Sequence, residues 1–459
     1  MGRISVNNPT ISGDMQGGAS FTMILLTLLT ILCFLLRFTR LFVGICANLF
    51  YKPIPIPSSP TYIVSRDVTV VIPTVFKNPS ELAECIGRMI GRDGSGPQEI
   101  FVVVLESNVS AARQLMDDNS FKNVTVLGVP KLGKRNQLLK ALPLVNTKII
   151  AFADDDVFYP DNYLQHLIAI FENPKVGAGG TCQRTRRSAG SSWYPTNFWN
   201  ILGISYLERR VFNNLMTNAV DGSISTLSGR TSAWRTDILK CKDFYDYFLG
   251  NGTTFRGKKL DSDDDKACTR FLFSRGWLCV IQRAVCLETT LEENSGYIHQ
   301  CLRWARARFR GNFTVMNSET YWRSRQYAWG AYVIYFSMFQ NPSLFIDIGF
   351  ASLLSLILAP CSPDTQSLCW ILFLVWLLFT KIVRLIPHFL RHPVDMVHIP
   401  VLIAFGYFHS LLNIYALCTL TQTAWGGKDI AALSKGKPEK DETAPLFGDG
   451  QVSDTPSSS

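Results

Sequence analysis

The sequence predicts a three-layer, Rossmann-like α/β domain framed by α-helical transmembrane segments. Three observations carry this. Short apolar runs of strand length alternate with helical patterns from Val68 to about Gly296. Apolar residues crowd into an N-terminal stretch and into the C-terminal third, the pattern of a membrane protein with a soluble middle. Acidic residues stand just past one short strand, where an open α/β sheet binds its ligands. The formal charge of +9 comes without a finger, basic-helix or RNA-binding signature, so nucleic acid is not an expected partner.

Residues 1–20 are polar and rich in Asn, Gly and Ser, and read as a disordered tail. The apolar run 21–36 opens a transmembrane anchor with an interfacial continuation, residues 21–50. Its sixteen residues fall short of a span of roughly 20. The anchor must therefore tilt, thin the bilayer, or borrow length around Arg37 and Arg40, whose stems can snorkel. A cleaved signal peptide is disfavoured by the lack of a basic lead beyond Arg3 and of a small-x-small site before the next apolar stretch, 41–51. Arg37, Arg40 and Lys52 follow the anchor while only Arg3 and Asp14 precede it, which places the next domain in the cytosol.

Residues 68–72 and 99–105 read as buried parallel strands, 124–127 and 148–153 continue the series, and 78–92 has helical spacing. These make up an expected cytosolic domain over 65–296. Residues 297–341 read as interfacial amphipathic helices, with 327–339 too short to cross. Three spans are expected within 342–421, at 343–358, 368–386 and 399–420. Lys381, Arg384 and Arg391, with His388 and His392, put the loop after the second span on the cytosolic side. Residues 426–459 read as a second disordered tail.

The twelve cysteines include no CxxC pair and no Cys/His metal spacing, and read as reduced thiols. Cys361 and Cys369 flank a short loop between spans and would pair only if it faced an oxidising space. Asn108, Asn123, Asn251 and Asn312 begin sequons that a cytosolic domain reduces to chance matches.

Asp154 and Asp156 close the run 148–156 in a D-x-D arrangement. They offer hard oxygen ligands for Mg2+ or Mn2+, which would bridge the oxygens of a diphosphate. Acidic triplets also cap helices or face water, so the preceding strand and the later motifs give this one its weight. Lys134, and after it Arg135, opens the helical run 137–142, where backbone N–H groups and a fixed cation can meet a phosphate.

Asp261, Asp263, Asp264 and Asp265 crowd a second helix start. One acid suffices for a cap, so the excess marks Asp265 as a general base. Gln300, Arg303 and Trp304 begin a basic amphipathic stretch whose arginines suit anionic lipid. The Trp304 indole in addition offers a flat face to a sugar ring, with Gln300 and Arg303 about one turn away or less. Gly229, in the stretch 227–235, lines an acceptor path or makes a tight turn before a helix. Transfer from an activated sugar diphosphate needs both kinds of acid: a counter-charge for the leaving nucleotide and a base for the attacking hydroxyl.

The ordered set, from the strand 70–74 through Gly133-Lys134, Asp154-x-Asp156 and Asp264-Asp265 to Gln300-x-x-Arg303-Trp304 with C-terminal spans, resembles the membrane-embedded family 2 glycosyltransferases over about residues 65–420. Hyaluronan, chitin and cellulose synthases belong to that family. Through residues 227–235 the chain is most similar to fungal capsular-polysaccharide-synthase-like proteins. The resemblance implies a cytosolic α/β domain of GT-A type joined to α-helical transmembrane segments, at the plasma membrane. It implies an inverting transfer from a UDP-sugar with Mg2+ or Mn2+ at Asp156 and Asp154. Asp265, beside Asp264, would be the base, and Thr74, Glu106, Lys134, Arg135 and Asp154 would bind the donor. Gly229, Gln300, Arg303 and Trp304 would hold the acceptor end and the diphosphate, and a growing polysaccharide would pass outward through the spans.

Three departures from the family pattern stand out. Glu106 takes the place of an aspartate after the second strand, no Asn-Glu follows Thr74, and both Cys301 and the Asp-Asp pair are unusual in their motifs. Single transfer to a lipid, as in ceramide glucosyltransferases, shares the same motifs. A non-enzymatic scaffold or transporter leaves the acid clusters unexplained. The sequence carries no signal for oligomeric state.

Overall fold

β1 (Val68–Pro73) is apolar except for Thr69 and buried along its whole length, as a strand covered on both faces must be. In the computed structural model it pairs in parallel with β2 (Glu99–Leu105) on one side and β4 (Ile149–Ala153) on the other. β3 (Val124–Val129) extends the β2 edge in parallel. The chain thus runs outward from β1 through β2 to β3 and then returns to β1's other side. That reversal opens a crevice at the carboxyl ends of β1 and β4.

The sheet continues through β7 (Thr231–Arg235), antiparallel to β4 and to β6 (Val176–Thr185), then β10 (Leu278–Thr289), parallel to β6, and β5 (Val157–Phe158), antiparallel to β10. Its order is β3-β2-β1-β4-β7-β6-β10-β5. β8 (Thr254–Phe255) and β9 (Lys258–Lys259) form a separate ribbon. The structure describes residues 12–91, 96–191, 193–250, 254–259 and 263–422, with side chains except at 12–20 and 258–259. Asn251, Asp261 and the expected tail 426–459 lie outside them.

Side-chain alternation divides the core between the two faces. Val71, Val103, Ile150 and Phe152 join one cluster, while Val70, Ile72, Val102, Ile149 and Ala151 join the other. The stretch 227–235, read as an acceptor path or a tight turn before a helix, is in part β7, a central strand. Its polar residues are satisfied internally, with Trp234 Nε1 donating to Ser232 Oγ at 2.9 Å.

The first helix, Ser12–Phe50, begins inside the expected tail, and it runs unbroken through Arg37 and Arg40. Its stretch Phe21–Phe50 is 30 residues long and apolar enough to cross a membrane, so the expected shortfall in length does not arise. Pro363–Arg391 and Pro393–Cys418 also have the length and composition of spans. The first of the three expected C-terminal spans differs. Ser343–Leu358 has only 16 residues and is bent by 80° from the preceding Arg325–Gln340, as in a broken or re-entrant span.

The helix Phe198–Asp221 joins the sheet domain to the apolar helices. Asn48 Nδ2 donates to Phe212 O at 3.1 Å, and a Cβ at Gly44 would lie 2.5 Å from the Phe212 ring, so glycine permits the close approach. Cys361 and Cys369 are free thiols. Asn312 is buried in the helix Gly296–Ser318, which excludes it as a glycan acceptor in this fold.

Candidate active site

The acid triplet sits where β4 ends. Asp154 N donates to Arg230 O at 2.9 Å, which ties the triplet to the residue just before β7. Thr74, at the end of β1, donates its hydroxyl to Asp155 Oδ2 and accepts the Phe76 N–H at 2.8 Å. The threonine thus fixes the middle acid, leaving Asp154 and Asp156 to either side.

Lys134 opens the helix Lys134–Ala141 and reaches back over the crevice. Its Nζ lies 2.6 Å from Asp154 Oδ1, donates to Gly229 O at 3.1 Å, and stands 3.9 Å from Asp264 Oδ2. A Cβ added at Gly229 would come 3.0 Å from Lys134 Nζ and within 3.7 Å of Asp265 Oδ2. Two acid clusters more than a hundred residues apart in the chain therefore meet around one ammonium. Burial works against the charge on Lys134, but Asp154 and Asp264 outweigh it and raise its pKa.

Asp264 and Asp265 begin the helix Asp264–Ser274. Asp265 Oδ1 accepts the Lys266 N–H at 2.8 Å. Burial and the charge of Asp264 push the Asp265 carboxyl up to about 6, against the pull of Arg210 and Lys134. Burial and the charge of Asp154 likewise push up Asp156, whose side chain has one long hydrogen bond, from Thr290 Oγ1 at 3.4 Å.

Trp304, on the helix Gly296–Ser318, stacks on Tyr206 with ring centroids 4.5 Å apart. Arg230 stands 5.3 Å from the same indole. Arg230 is buried, its guanidinium has no hydrogen bond or ion pair among the described residues, and it acts electrostatically on Asp156 and Arg303. Burial, followed by the charge of Arg230, lowers the Arg303 pKa, while Asp154 and Asp264 oppose this. Gln300 Oε1 is buried without a hydrogen-bond partner. Guanidiniums that face one another beside carboxylates suit the oxygens of a polyanion, while the Gln300 carbonyl suits a hydroxyl donor.

Two expected donor residues stand elsewhere. Arg135 turns to Phe248, with its guanidinium 4.6 Å from the ring centroid and Nη1 donating to Phe248 O at 3.3 Å. Neighbours at a helix start point about 100° apart, so only one of Lys134 and Arg135 faces the crevice. Glu106 is exposed in the turn after β2, with no hydrogen bond or ion pair to the cluster. Conversely, Arg230, Arg210, Tyr206 and Asp155 belong to the site without having been singled out by the sequence. Arg230 adjoins Gly229, which was; Tyr206 and Arg210, four apart on one helix, gave no signal.

Among the described residues no group of three or more His, Cys, Asp or Glu side chains could hold a metal ion. Two carboxylates still fit Mg2+ or Mn2+, because such ions usually take one or two carboxylates and complete their shell with substrate phosphates and water. Asp154 Oδ2 and Asp156 Oδ1 have no hydrogen bond among the described residues, which leaves them available for that purpose.

Residues 65–307 match the family model described as glycosyltransferase like family 2. The chain belongs to the family 2 glycosyltransferases. It is 38% identical over 403 residues to a type 2 glycosyltransferase of Gibberella zeae, covering 85% of this chain and 74% of that one. A type 2 glycosyltransferase of Zymoseptoria tritici is 36% identical, covering 92% and 88%. Among solved structures, a mannosyltransferase of Pyrobaculum calidifontis in complex with GDP-Man and Mn2+ superposes with a TM-score of 0.54 at 17% identity, over 86% of this chain and 99% of that one. This family 2 glycosyltransferase therefore has the GT-A fold, and it uses a nucleotide-sugar donor.

Proposed function

We propose that this glycosyltransferase inverts the anomeric centre of a UDP-sugar while transferring the sugar to a hydroxyl of a growing polysaccharide, at a membrane. The observation that carries the reading is the Lys134 ammonium shared between Asp154 and Asp264. It joins a donor side and a base side within one centre.

Asp154 and Asp156 would hold a Mg2+ or Mn2+, which when bound would supply counter-charge to the diphosphate. Lys134, Arg230 and Arg303 add fixed positive charge, favouring the leaving group as its charge develops. Asp265 accepts the proton of the attacking hydroxyl. Gly229 leaves open the approach to Asp265 that any side chain would narrow. Incubating the purified protein with Mn2+ and a panel of UDP- and GDP-sugars, then sizing the product, tests this: long polymer supports it, and glycolipid or free sugar opposes it.

The second reading, single transfer to a lipid, draws on the bent pair Arg325–Gln340 and Ser343–Leu358. With three full-length candidate spans, little helix remains to enclose a wide polymer channel.

Two outcomes follow from the proposed roles. The Asp265 carboxyl at about 6 works as a base only above that pH, so log kcat/KM should fall with decreasing pH through about 6 with unit slope. A flat profile from pH 5 to 8 excludes Asp265 as the titrating base. Trp304→Ala removes the stack on Tyr206 and the support of Arg230, and should lower elongation about tenfold while donor hydrolysis falls less. Equal loss of both would confine Trp304 to bracing Arg230.

A further inference from the structure

Away from the catalytic centre, a second group of cations gathers where the first helix, the helix Phe198–Asp221 and the segment Pro363–Arg391 come together. Arg37 and Arg40 come from the first, Arg209 from the second, and Lys381 and Arg384 from the third. Arg37 is buried and donates through Nη1 to Gln340 O at 2.5 Å. Arg384 lies 5.5 Å from the Phe212 ring, and its Nε is buried without a hydrogen-bond partner. The guanidiniums of Arg209 and Arg40 have neither a hydrogen bond nor an ion pair among the described residues, and both residues are half-buried. Gln340 Oε1 beside them is also buried and unpartnered.

The electrostatics are one-sided. Arg40 feels Arg37 and Arg384, and Arg384 feels Arg209 and Arg37, with no carboxylate acting on either. The one acid in the group, Asp347, acts on Arg37 but is already paired with Lys381 at 2.6 Å. Gathering guanidiniums in partial burial without enough counter-charge is unfavourable unless an anion joins them. Their forked donors on several helices match the oxygens of a phosphate.

We propose that Arg37, Arg40, Arg209 and Arg384 form a binding site for the phosphate of an anionic lipid headgroup, which cements the catalytic domain to the apolar helices. The inference rests on reading those helices as membrane spans. A lipid phosphate is favoured over a free one because Arg37, Arg40 and Arg384 lie on two helices of span length, where positive charge flanking a span meets headgroups. Arg209 adjoins Arg210, whose charge acts on Asp265, so an occupied site would also stiffen the helix behind the base.

The test measures thermal unfolding of the full chain in detergent with phosphatidic acid, with phosphatidylcholine, or with inorganic phosphate. Wild type should gain a Tm shift of about 2–4 °C with phosphatidic acid and little with the other two. Arg40→Gln and Arg384→Gln should each lose most of that gain while unfolding no earlier than wild type in lipid-free detergent, because each relieves repulsion. An equal gain with phosphatidylcholine, a full gain with inorganic phosphate, or an undiminished gain in both variants overturns the proposal. Alkaline carbonate extraction checks the membrane reading separately: release of the chain would defeat that reading whatever the lipid titration shows.

Discussion

Asp265→Asn is expected to lower kcat by about 10²–10⁴-fold while changing the donor Kd by less than about twofold. The substitution keeps shape and volume. Asn Oδ1 can still accept the Lys266 N–H that Asp265 accepts at 2.8 Å, so the helix start stays in place. What disappears is the oxygen that faces Gly229 and can take a proton. On the proposed reading Lys134, Asp154 and Arg230 hold the donor side, and the change leaves these residues in place. Steady-state kinetics with a UDP-sugar, together with calorimetric donor binding, separates the two effects. An active Asp265→Asn enzyme would remove the base assignment, whereas loss of donor binding would move Asp265 to the diphosphate side.

The strands that place this base could be read from the sequence because strands buried on both faces are continuous apolar runs. Residues 99–105 were bounded as the structure has them, and β1, β3 and β4 fell within two residues of it. The acid triplet could be placed because a strand end is a local feature and the switch point follows from strand order. β7 was hidden for the opposite reason. Thr-Ser-Ala-Trp-Arg looks like a surface turn, and it is buried only because β4 and β6 flank it, with Tyr159 and Ser232 serving its polar groups.

Arg37 and Arg40 interrupted an apolar pattern and made one helix look like an anchor followed by a separate stretch. A tally of apolar residues cannot tell an arginine at a helix junction from one outside the bilayer. The division of labour between Lys134 and Arg135 was equally out of reach, since adjacent residues at a helix start have the same local context and opposite surroundings. Trp304 was expected as a platform, but one of its neighbours proved to be Tyr206, nearly a hundred residues away. Such long-range stacking leaves no periodic trace.

Lys134→Met should be the most damaging single change to the centre as a whole. The side chain is of similar length and apolar, so packing survives, but the ammonium that separates Asp154 from Asp264 is gone. Removing one partner of a buried pair leaves uncompensated charge. Because Asp154 is about a third exposed, the stability loss should be about 1–3 kcal/mol rather than the larger values of fully buried pairs. Transfer should fall at least about 10²-fold, since a fixed cation near the leaving group is lost.

The sign of a third effect distinguishes this account from simple unfolding. The charge of Lys134 lowers the Asp265 pKa, so its loss should move the acid limb of the residual activity above pH 6. Adding Asp264→Asn to Lys134→Met removes one of the stranded carboxylates and should recover part of the stability without recovering the rate. If the double variant is no more stable than Lys134→Met alone, the two acid clusters do not share this ammonium, and the single-centre reading of the site falls with it.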